Sequence, residues 1–569
     1  MRHQLSLLHV CLLMLTAVPA VAQQPNAFDL IPDTATFVVR LQTPDQTVKD
    51  VTNFVDQVQP GFGPVVEGQA AALGQAIQNP TLAGVDRTKD WYLLAFPSPG
   101  PNPSDSPPEA VYLIPVTDAD AARAALGDRF GFAEKNGYLA WSEEAILAEQ
   151  MKSCFDGKTA AISKKMDEAS AKRMMASHLT VFINAEALKT TYADQLAQAD
   201  ETLEEALAAL ADQMKVASPG LDPEMALGVY RTMGAYLIQA ARDSESAVAS
   251  INIADGVLRI EELLTVAKGS QADEFLAAQP VSNMARLTNV PAGLDGYFGV
   301  SGDPTRLIAW AGEFIDSQVT DEAAKAKFQK SLKAMEGVKF GAYVGGGGLN
   351  MEQEGVMQLF GIAEVAPSAK MRAALMLFQD EMKYEIGGIT QTQSFKPNAE
   401  TIAGQTVDLY RFKQTFPPEM DPTGMQAAIH DRMYGDGTMQ QRLVFNNDLI
   451  TTTVGGGTEA MKQLLNSSKS TDSNMLKARA ALHKESNLLL LTDVPNLVLD
   501  FAKLILETGA IPVPVQAEQL EPLKIAPSYA GFSMAVAPQQ LHFRTNVPVE
   551  TFQGFAQIGM FVQGLMMAN

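Results

Sequence analysis

The sequence predicts an α+β protein of two homologous halves, each a mostly antiparallel sheet with helices packed on one face. Three observations carry this. Strand-like and helix-like segments alternate throughout the 569 residues. Four phrases recur in the same order in both halves. One of those phrases is a pair of strands around a tight turn, which makes them antiparallel neighbours.

The first phrase is Phe54-Val55-Asp56-Gln57-Val58, matched by Phe314-Ile315-Asp316-Ser317-Gln318-Val319. Each follows an extended segment introduced by a proline, Pro32 or Pro291. The second is Arg123-Ala124-Ala125-Leu126, matched by Arg372-Ala373-Ala374-Leu375. The third pairs Ser177-His178-Leu179 with Ser486-Asn487-Leu488. It continues without a gap through Asn184 and Asp493, Leu188 and Leu497, and Tyr192 and Phe501. The fourth pairs Ser250, Ile253, Ala254, Leu258 and Ile260 with Ser533, Val536, Ala537, Leu541 and Phe543. Its turns are Asp255-Gly256 and Pro538-Gln539. One such match alone carries nothing in an alanine-rich chain; their common order carries the argument. The offset drifts from match to match, as loop insertions after a duplication would make it do.

The elements follow in order. Phe37, Val39 and Leu41 alternate with Val38 and Arg40, which predicts a strand with one buried face. Trp91 to Phe96 is a continuous apolar run and reads as a central strand. Pro97 to Pro108 holds six prolines and reads as an irregular loop. Val111 to Val116 resumes the sheet, Asp118 caps an alanine-rich helix, and Gly137 to Trp141 is a further strand. Asp194 to Lys215 is helical, with Leu196, Leu203, Leu207, Leu210 and Met214 on one stripe expected to lie on the sheet. A second helix after Asp222-Pro223 carries Met225, Val229, Tyr230, Met233 and Leu237.

The second half carries an insertion at about 391–440, with a short strand at Thr406 to Phe412. The Met-bearing stretch Met420 to Met439 is expected to be a surface excursion or lid, and so the first place to look for a site. The predicted organisation is a signal peptide at 1–22, a first half at 23–280 and a second at 281–569.

The leader reading rests on Arg2 and His3, an apolar run from Leu5 to Val18, and the small-x-small triplet Ala20-Val21-Ala22. Cleavage between Ala22 and Gln23 predicts export to the periplasm or beyond. Cys11 lacks the small residues that precede a lipidated cysteine. No later stretch reaches the roughly 18 apolar residues of a spanning helix, and Phe552 to Ala568 is broken by glutamines and glycines. No transmembrane segment is therefore expected after leader removal. Beyond the leader only Cys154 remains, which excludes an internal disulfide. The formal charge of −22 argues against nucleic acid and anionic lipid as partners.

The motif tests fail one by one. Gly345-Gly346-Gly347-Gly348 reads as a flexible hairpin turn, because Glu352 and Glu354 follow where a phosphate loop needs a cation. Gly455-Gly456-Gly457 leads into a helix but lacks the lysine, and Glu459 opposes anions. The histidines past the leader are His178, His430, His483 and His542, with no zinc spacing among them. His178 and His542 read as structural, and His430, beside Asp431, as a solvated loop residue. Gly299-Val300-Ser301-Gly302-Asp303 has the wrong register for a nucleophile elbow. Asp118-x-Asp120 lacks the other calcium-loop ligands. The 26 methionines are scattered as core filler is. No catalytic, cofactor or metal residue is assigned.

The opening Ile31-Pro32-Asp33-Thr34-Ala35-Thr36-Phe37-Val38-Val39 resembles the start of a class of exported bacterial proteins. These carry a Leu-Pro-x-Asp-Thr-type phrase after the leader, then repeated strand–helix units. The resemblance implies an exported location and a duplicated α+β architecture, and carries no activity. The leading expectation is a non-catalytic exported protein that binds another macromolecule or envelope surface. The alternatives are a periplasmic carrier of a lipid-like apolar ligand and a secreted hydrolase.

Overall fold

Antiparallel ladders dominate the computed structural model, which describes residues 27–69, 72–98, 108–217, 223–319, 321–386, 389–418, 421, 423–467, 472–508 and 516–568. Residues 1–22, expected to be a leader, and most of the proline-rich loop lie outside the described residues. The chain divides into two compact units: Met1–Thr47 with Gln69–Thr191, and Val48–Gly68 with Tyr192–Asn569. Both combine a large antiparallel sheet with helices, the α+β class that the alternating pattern predicts.

The first unit holds β1 (Phe37–Leu41), β2 (Trp91–Phe96), β3 (Glu109–Pro115), β4 (Gly131–Lys135), β5 (Tyr138–Ser142) and β6 (Leu179–Asn184). Pairing gives the order β4-β5-β3-β2-β1-β6, antiparallel throughout. Trp91, Ile114, Phe130, Leu139 and Trp141 fill its core. Both indoles are satisfied, Trp91 by the Asp86 carbonyl at 2.9 Å and Trp141 by that of Ile77 at 3.2 Å. Asp118 caps the helix Ala119–Leu126 as its side chain predicts, accepting from the amides of Asp120 and Ala121.

Strand β1 departs from expectation. Its buried face carries Val38 and Arg40, not Phe37, Val39 and Leu41. A charged residue occupies a core position because its guanidinium is matched on every side. Asp90 takes Nε at 2.9 Å and Nη2 at 2.8 Å, and the carbonyls of Met174 and Ser177 take Nη1 at 2.9 and 3.0 Å.

The second unit holds β7 (Ser244–Ala254), β8 (Val257–Val266), β9 (Gly296–Val300), β10 (Lys339–Leu349), β11 (Met357–Ala366), β12 (Met382–Ile386), β13 (Ile389–Ile402), β14 (Gln405–Thr415), β15 (Thr438–Asn446), β16 (Leu449–Val454), β17 (Leu488–Thr492), β18 (Ala530–Ala537) and β19 (Gln540–Pro548). Their order is β12-β13-β14-β15-β16-β11-β10-β9-β17-β18-β19-β8-β7. The β7–β8 turn is Asp255-Gly256, both at positive φ, and Gln539 at φ 62° follows Pro538 in the β18–β19 turn. Asp255-Gly256 favours this conformation, whereas Gln539 adopts a left-handed φ that glycine or asparagine takes more readily.

Two further expectations differ from the structure. The glycines Gly345 to Gly348 form no turn. They lie inside β10: Gly345 to Gly347 pair on both sides, with β9 and β11, and Gly348 pairs with β11. A Cβ on Gly345 would strike the Phe298 ring and the Phe360 carbonyl, and one on Gly348 would strike Asp295. Glycine is there for close approach, not for bending. In the insertion, β13 and β14 form a long hairpin next to the edge strand β12, and Met425–Tyr434 is a helix with no buried residue. Arg372 binds Asp408 of that hairpin with a short pair at 2.6 and 2.9 Å. Finally, the helix Ala199–Ala217 packs on the helix Pro223–Asp243, not on a sheet. Leu203, Leu207, Ala211, Met214 and Leu227 form their shared core.

Candidate functional site

The sequence-level candidates do not converge. Cys154 is buried in the first unit, and that burial pushes its thiol up, away from the reactive thiolate. His178 lies just before β6, and its carbonyl accepts from the Gln42 amide at 2.8 Å. His430 sits in the helix Met425–Tyr434, its ring tilted against Tyr434 at 4.8 Å between centroids and 6.2 Å from Phe416. Desolvation lowers its proton affinity, so it is neutral at physiological pH, a packed aromatic and not a solvated loop residue.

His483 and Ser533 come together, with Nδ1 and Oγ 2.9 Å apart, and the His542 ring lies 6.1 Å from that of His483. A Ser–His pair is the core of a hydrolase site. Ser533, however, is wholly buried in β18, and its hydroxyl also accepts the His483 backbone amide at 3.3 Å. A substrate carbonyl cannot reach it, so the pair ties a loop to the sheet. Ser301 is likewise buried and donates to the Pro280 carbonyl at 3.1 Å. Gly455, Gly456 and Gly457 all have positive φ and turn β16 into the helix Gly457–Leu465, whose first turn carries Glu459. Among the described residues no three His, Cys, Asp or Glu side chains are grouped to hold a metal ion.

Each unit carries a cleft lined in part by charged residues. In the second unit one of about 360 Å³ is lined by Asp295, Gly348, Asn350, Glu352, Asp500 and Lys503. Asp295 Oδ2 accepts from the Leu349 amide at 2.8 Å, and Lys503 pairs with Asp500 at 2.8 Å. Burial, followed by the nearby Asp500 and Asp493 charges, pushes the Asp295 carboxyl up to about 6. Proton exchange near neutrality is available there, but the adjacent cation is already held by Asp500. The first unit's cleft, about 420 Å³, is lined by Asp33, Thr34, Phe96, Lys165, Asn184 and Glu186, with Lys165 and Glu186 paired at 2.7 Å.

The feature with the strongest exposure is the outer face of the helix Pro223–Asp243. Tyr230, Met233 and Leu237 are 57%, 57% and 69% exposed, and Tyr236 beside them is 51% exposed. Positions 230, 233 and 237 follow the i, i+3, i+7 spacing of one helical face. Gly234 on the inner face lets Leu203 of the neighbouring helix press against the backbone. The rim is charged: Arg231 binds Glu204 at 2.9 Å, and Arg242 binds Asp200 at 2.8 Å. The sequence marked this stripe as apolar; which way it faces depends on the partner helix, which periodicity alone does not reveal.

No protein-family model matches the chain, and neither a curated protein nor a solved structure matches it significantly. No helix among the described residues is long and apolar enough to cross a membrane.

Proposed function

We propose that this chain is an exported, non-catalytic protein, built from two copies of one α+β repeat, which binds another macromolecule through the outer face of the helix Pro223–Asp243. The observation that carries the binding reading is the stripe of Tyr230, Met233 and Leu237, large apolar groups left in water on one helical face with a charged rim. Acidic residues of the adjoining helix, among them Glu201 and Glu205, favour a protein or envelope partner with a basic margin.

Strand order and register support the duplication. The order β4-β5-β3-β2-β1-β6 in one unit matches β15-β16-β11-β10-β9-β17 in the other. Phe37 lies between Ala95 and Ile183, and Gly296 lies between Gly347 and Thr492. The offset that carries Leu179 onto Leu488 also carries Ile183 onto Thr492. The Asn184 amide donates to the Thr36 carbonyl at 2.9 Å, and that of Asp493 to the Asp295 carbonyl at 2.7 Å. The inserted strands β12, β13 and β14 have no counterpart among the described residues of the first copy.

The repeat bears on catalysis as well. The polar clefts of the two units fall at matching places in the proposed copies, where Phe96 and Pro97 correspond to Gly348 and Leu349. Their linings share no acid–base set, since Thr36 stands where the other copy has Asp295. A scaffold role accounts for that divergence more simply than a shared reaction does.

The test is capture from the envelope fraction of the source cell with the full chain as bait, beside a Tyr230→Ser/Met233→Ser/Leu237→Ser variant. The variant is expected to keep its circular dichroism and melting temperature and to lose the captured partner. Equal capture by both would sink the assignment of this face.

A further inference from the structure

β14 and β15 are antiparallel neighbours, which a two-residue turn can join. Instead the chain leaves β14 at Thr415, forms the helix Met425–Tyr434 and returns to the sheet at Thr438. This helix has 10 residues, none of them buried. A helix so short is marginal in water unless tertiary contacts hold it. Arg432 and His430 fasten it to the rest of the second unit.

Arg432 Nη1 donates to the carbonyls of Gln353 and Glu354 at 2.5 and 2.8 Å, and Nη2 donates to that of Met351 at 3.0 Å. Its Nε binds Glu507, at the end of the helix Val494–Glu507, at 3.0 Å. The Arg432 carbonyl accepts the Val356 amide at 3.1 Å. One residue thus gathers the main chain of the loop between β10 and β11. Gly355 lets the two segments meet, since a Cβ there would come within 2.8 Å of the Tyr434 main chain. Asn350, Met351 and Glu352 of the same loop line the cleft beside Asp295. The His430 ring stands edge-on to Tyr434 on its own helix and to Phe416 after β14. Asp431 beside it and Lys413 on β14 are the charges that act on it, and a Cβ on Gly437 would lie 3.6 Å from its Nδ1. Loss of solvent around the ring, against the pull of Asp431 and with the push of Lys413, lowers its proton affinity.

We infer that the helix Met425–Tyr434 is a releasable strap, fastened by Arg432 and by the packed His430 ring, whose release frees the loop between β10 and β11 and with it one wall of the Asp295 cleft. A segment with no buried side chain, held by two residues, opens at lower cost than the core beneath it. Acid supplies the trigger. Packing favours the neutral imidazole, so the stability that His430 lends is present above its ordinary 6.5 and is lost as pH falls from there through the lower folded value. The strap belongs to the second unit alone and does not depend on the macromolecular reading.

The test reads opening through a cysteine placed under the strap. Val356 is wholly buried, and Val356→Cys reacts with 4,4′-dithiodipyridine only when the loop is freed. Met461→Cys, in the core of the same unit, reports unfolding of the whole unit. Rates in the full chain are read by peptide mass at pH 7.5 and 5.5, each relative to free cysteine. At pH 7.5 Val356→Cys should react about tenfold faster than Met461→Cys, or more. At pH 5.5 its rate should rise severalfold further, with a ceiling near the roughly tenfold excess of protonated over neutral imidazole in a released ring. His430→Phe keeps the packing and should abolish that rise. Arg432→Gln should raise the rate at pH 7.5 by about tenfold, and the milder Glu507→Gln by about threefold, with the Met461→Cys rate unchanged. Equal rates at positions 356 and 461 overturn the strap, because the loop then opens only with the whole unit. So does a rise in acid that survives His430→Phe, or a rate at position 356 that neither Arg432→Gln nor Glu507→Gln changes.

Discussion

Arg40 and Asp295 place ionisable groups where burial sets their behaviour, with opposite outcomes. The Arg40 guanidinium finds Asp90 and two carbonyls, so its charge is kept inside the first unit. Removing one partner of such a pair leaves the other uncompensated. Arg40→Met should cost about 3–5 kcal/mol in urea unfolding, and Arg40→Met with Asp90→Leu should recover a large part of that. Asp295 is less well provided for. Its folded carboxyl titrates at about 6 against an ordinary 3.8, so folding favours the protonated form. The stability it lends is present below about pH 4 and is lost as pH rises through 6. Asp295→Asn should therefore match the parent at pH 4 and exceed it at pH 7.5 by roughly 1–2 kcal/mol, a figure reduced for solvent screening. A variant equal to the parent at both pH values would refute this. Asp118 as a helix cap was legible because a cap is local; the environment of Asp295 was not, because strands distant in sequence build it.

Elements with a clear apolar period were legible almost to the residue, as β2 at Trp91–Phe96 illustrates. Those with a mixed face were not. β13 places Gln393 and Phe395 inward among threonines and glutamines, so no period-2 signal marks it as a strand. β10 hides behind its glycines, which are chosen for their neighbours and oppose the intrinsic preference of a strand. Two substitutions separate these roles of glycine. Gly345→Ala should destabilise by about 1–3 kcal/mol, since its Cβ meets the Phe298 ring and the Phe360 carbonyl. Gly228→Ala lies within the helix Pro223–Asp243, where nothing stands within 4 Å of the added Cβ, and should stabilise by about 0.5–1 kcal/mol. Thermal melts of the two proteins decide both signs. The exposed stripe of Tyr230, Met233 and Leu237 belongs to the same helix. Its apolar spacing was readable in the sequence, and its exposure followed only from the pairing with Ala199–Ala217.

At the scale of the whole chain the proposed duplication has a consequence within the second unit. β8 pairs with β19, and the ladder joins Ile260 to Thr545, Glu261 to Arg544 and Glu262 to Phe543. The proposed repeat would carry Ile260 onto Phe543 and Glu261 onto Arg544, by the same offset that relates the fourth phrase. Exchange of the copies therefore turns the pair Ile260–Thr545 into Phe543–Glu262, another rung of the same ladder, and leaves Glu261–Arg544 in place. Under the proposed repeat the β8–β19 ladder is therefore symmetric about its Glu261–Arg544 rung. Two identical copies would set like residues against each other at that rung. Here the rung holds an ion pair, with Arg544 Nε 2.6 Å from Glu261 Oε1. Opposite charges are thus built in where symmetry alone would give repulsion. The consequence is testable by charge reversal. Arg544→Glu alone, or Glu261→Arg alone, sets like charges together and should lower stability by roughly 0.5–1 kcal/mol each, as expected for a partly solvated pair. Glu261→Arg with Arg544→Glu places each side chain in the other's equivalent environment and should restore the parent's melting temperature. A double variant no more stable than the singles would mean that the two sides of this rung are not equivalent, and their proposed correspondence would have to be given up.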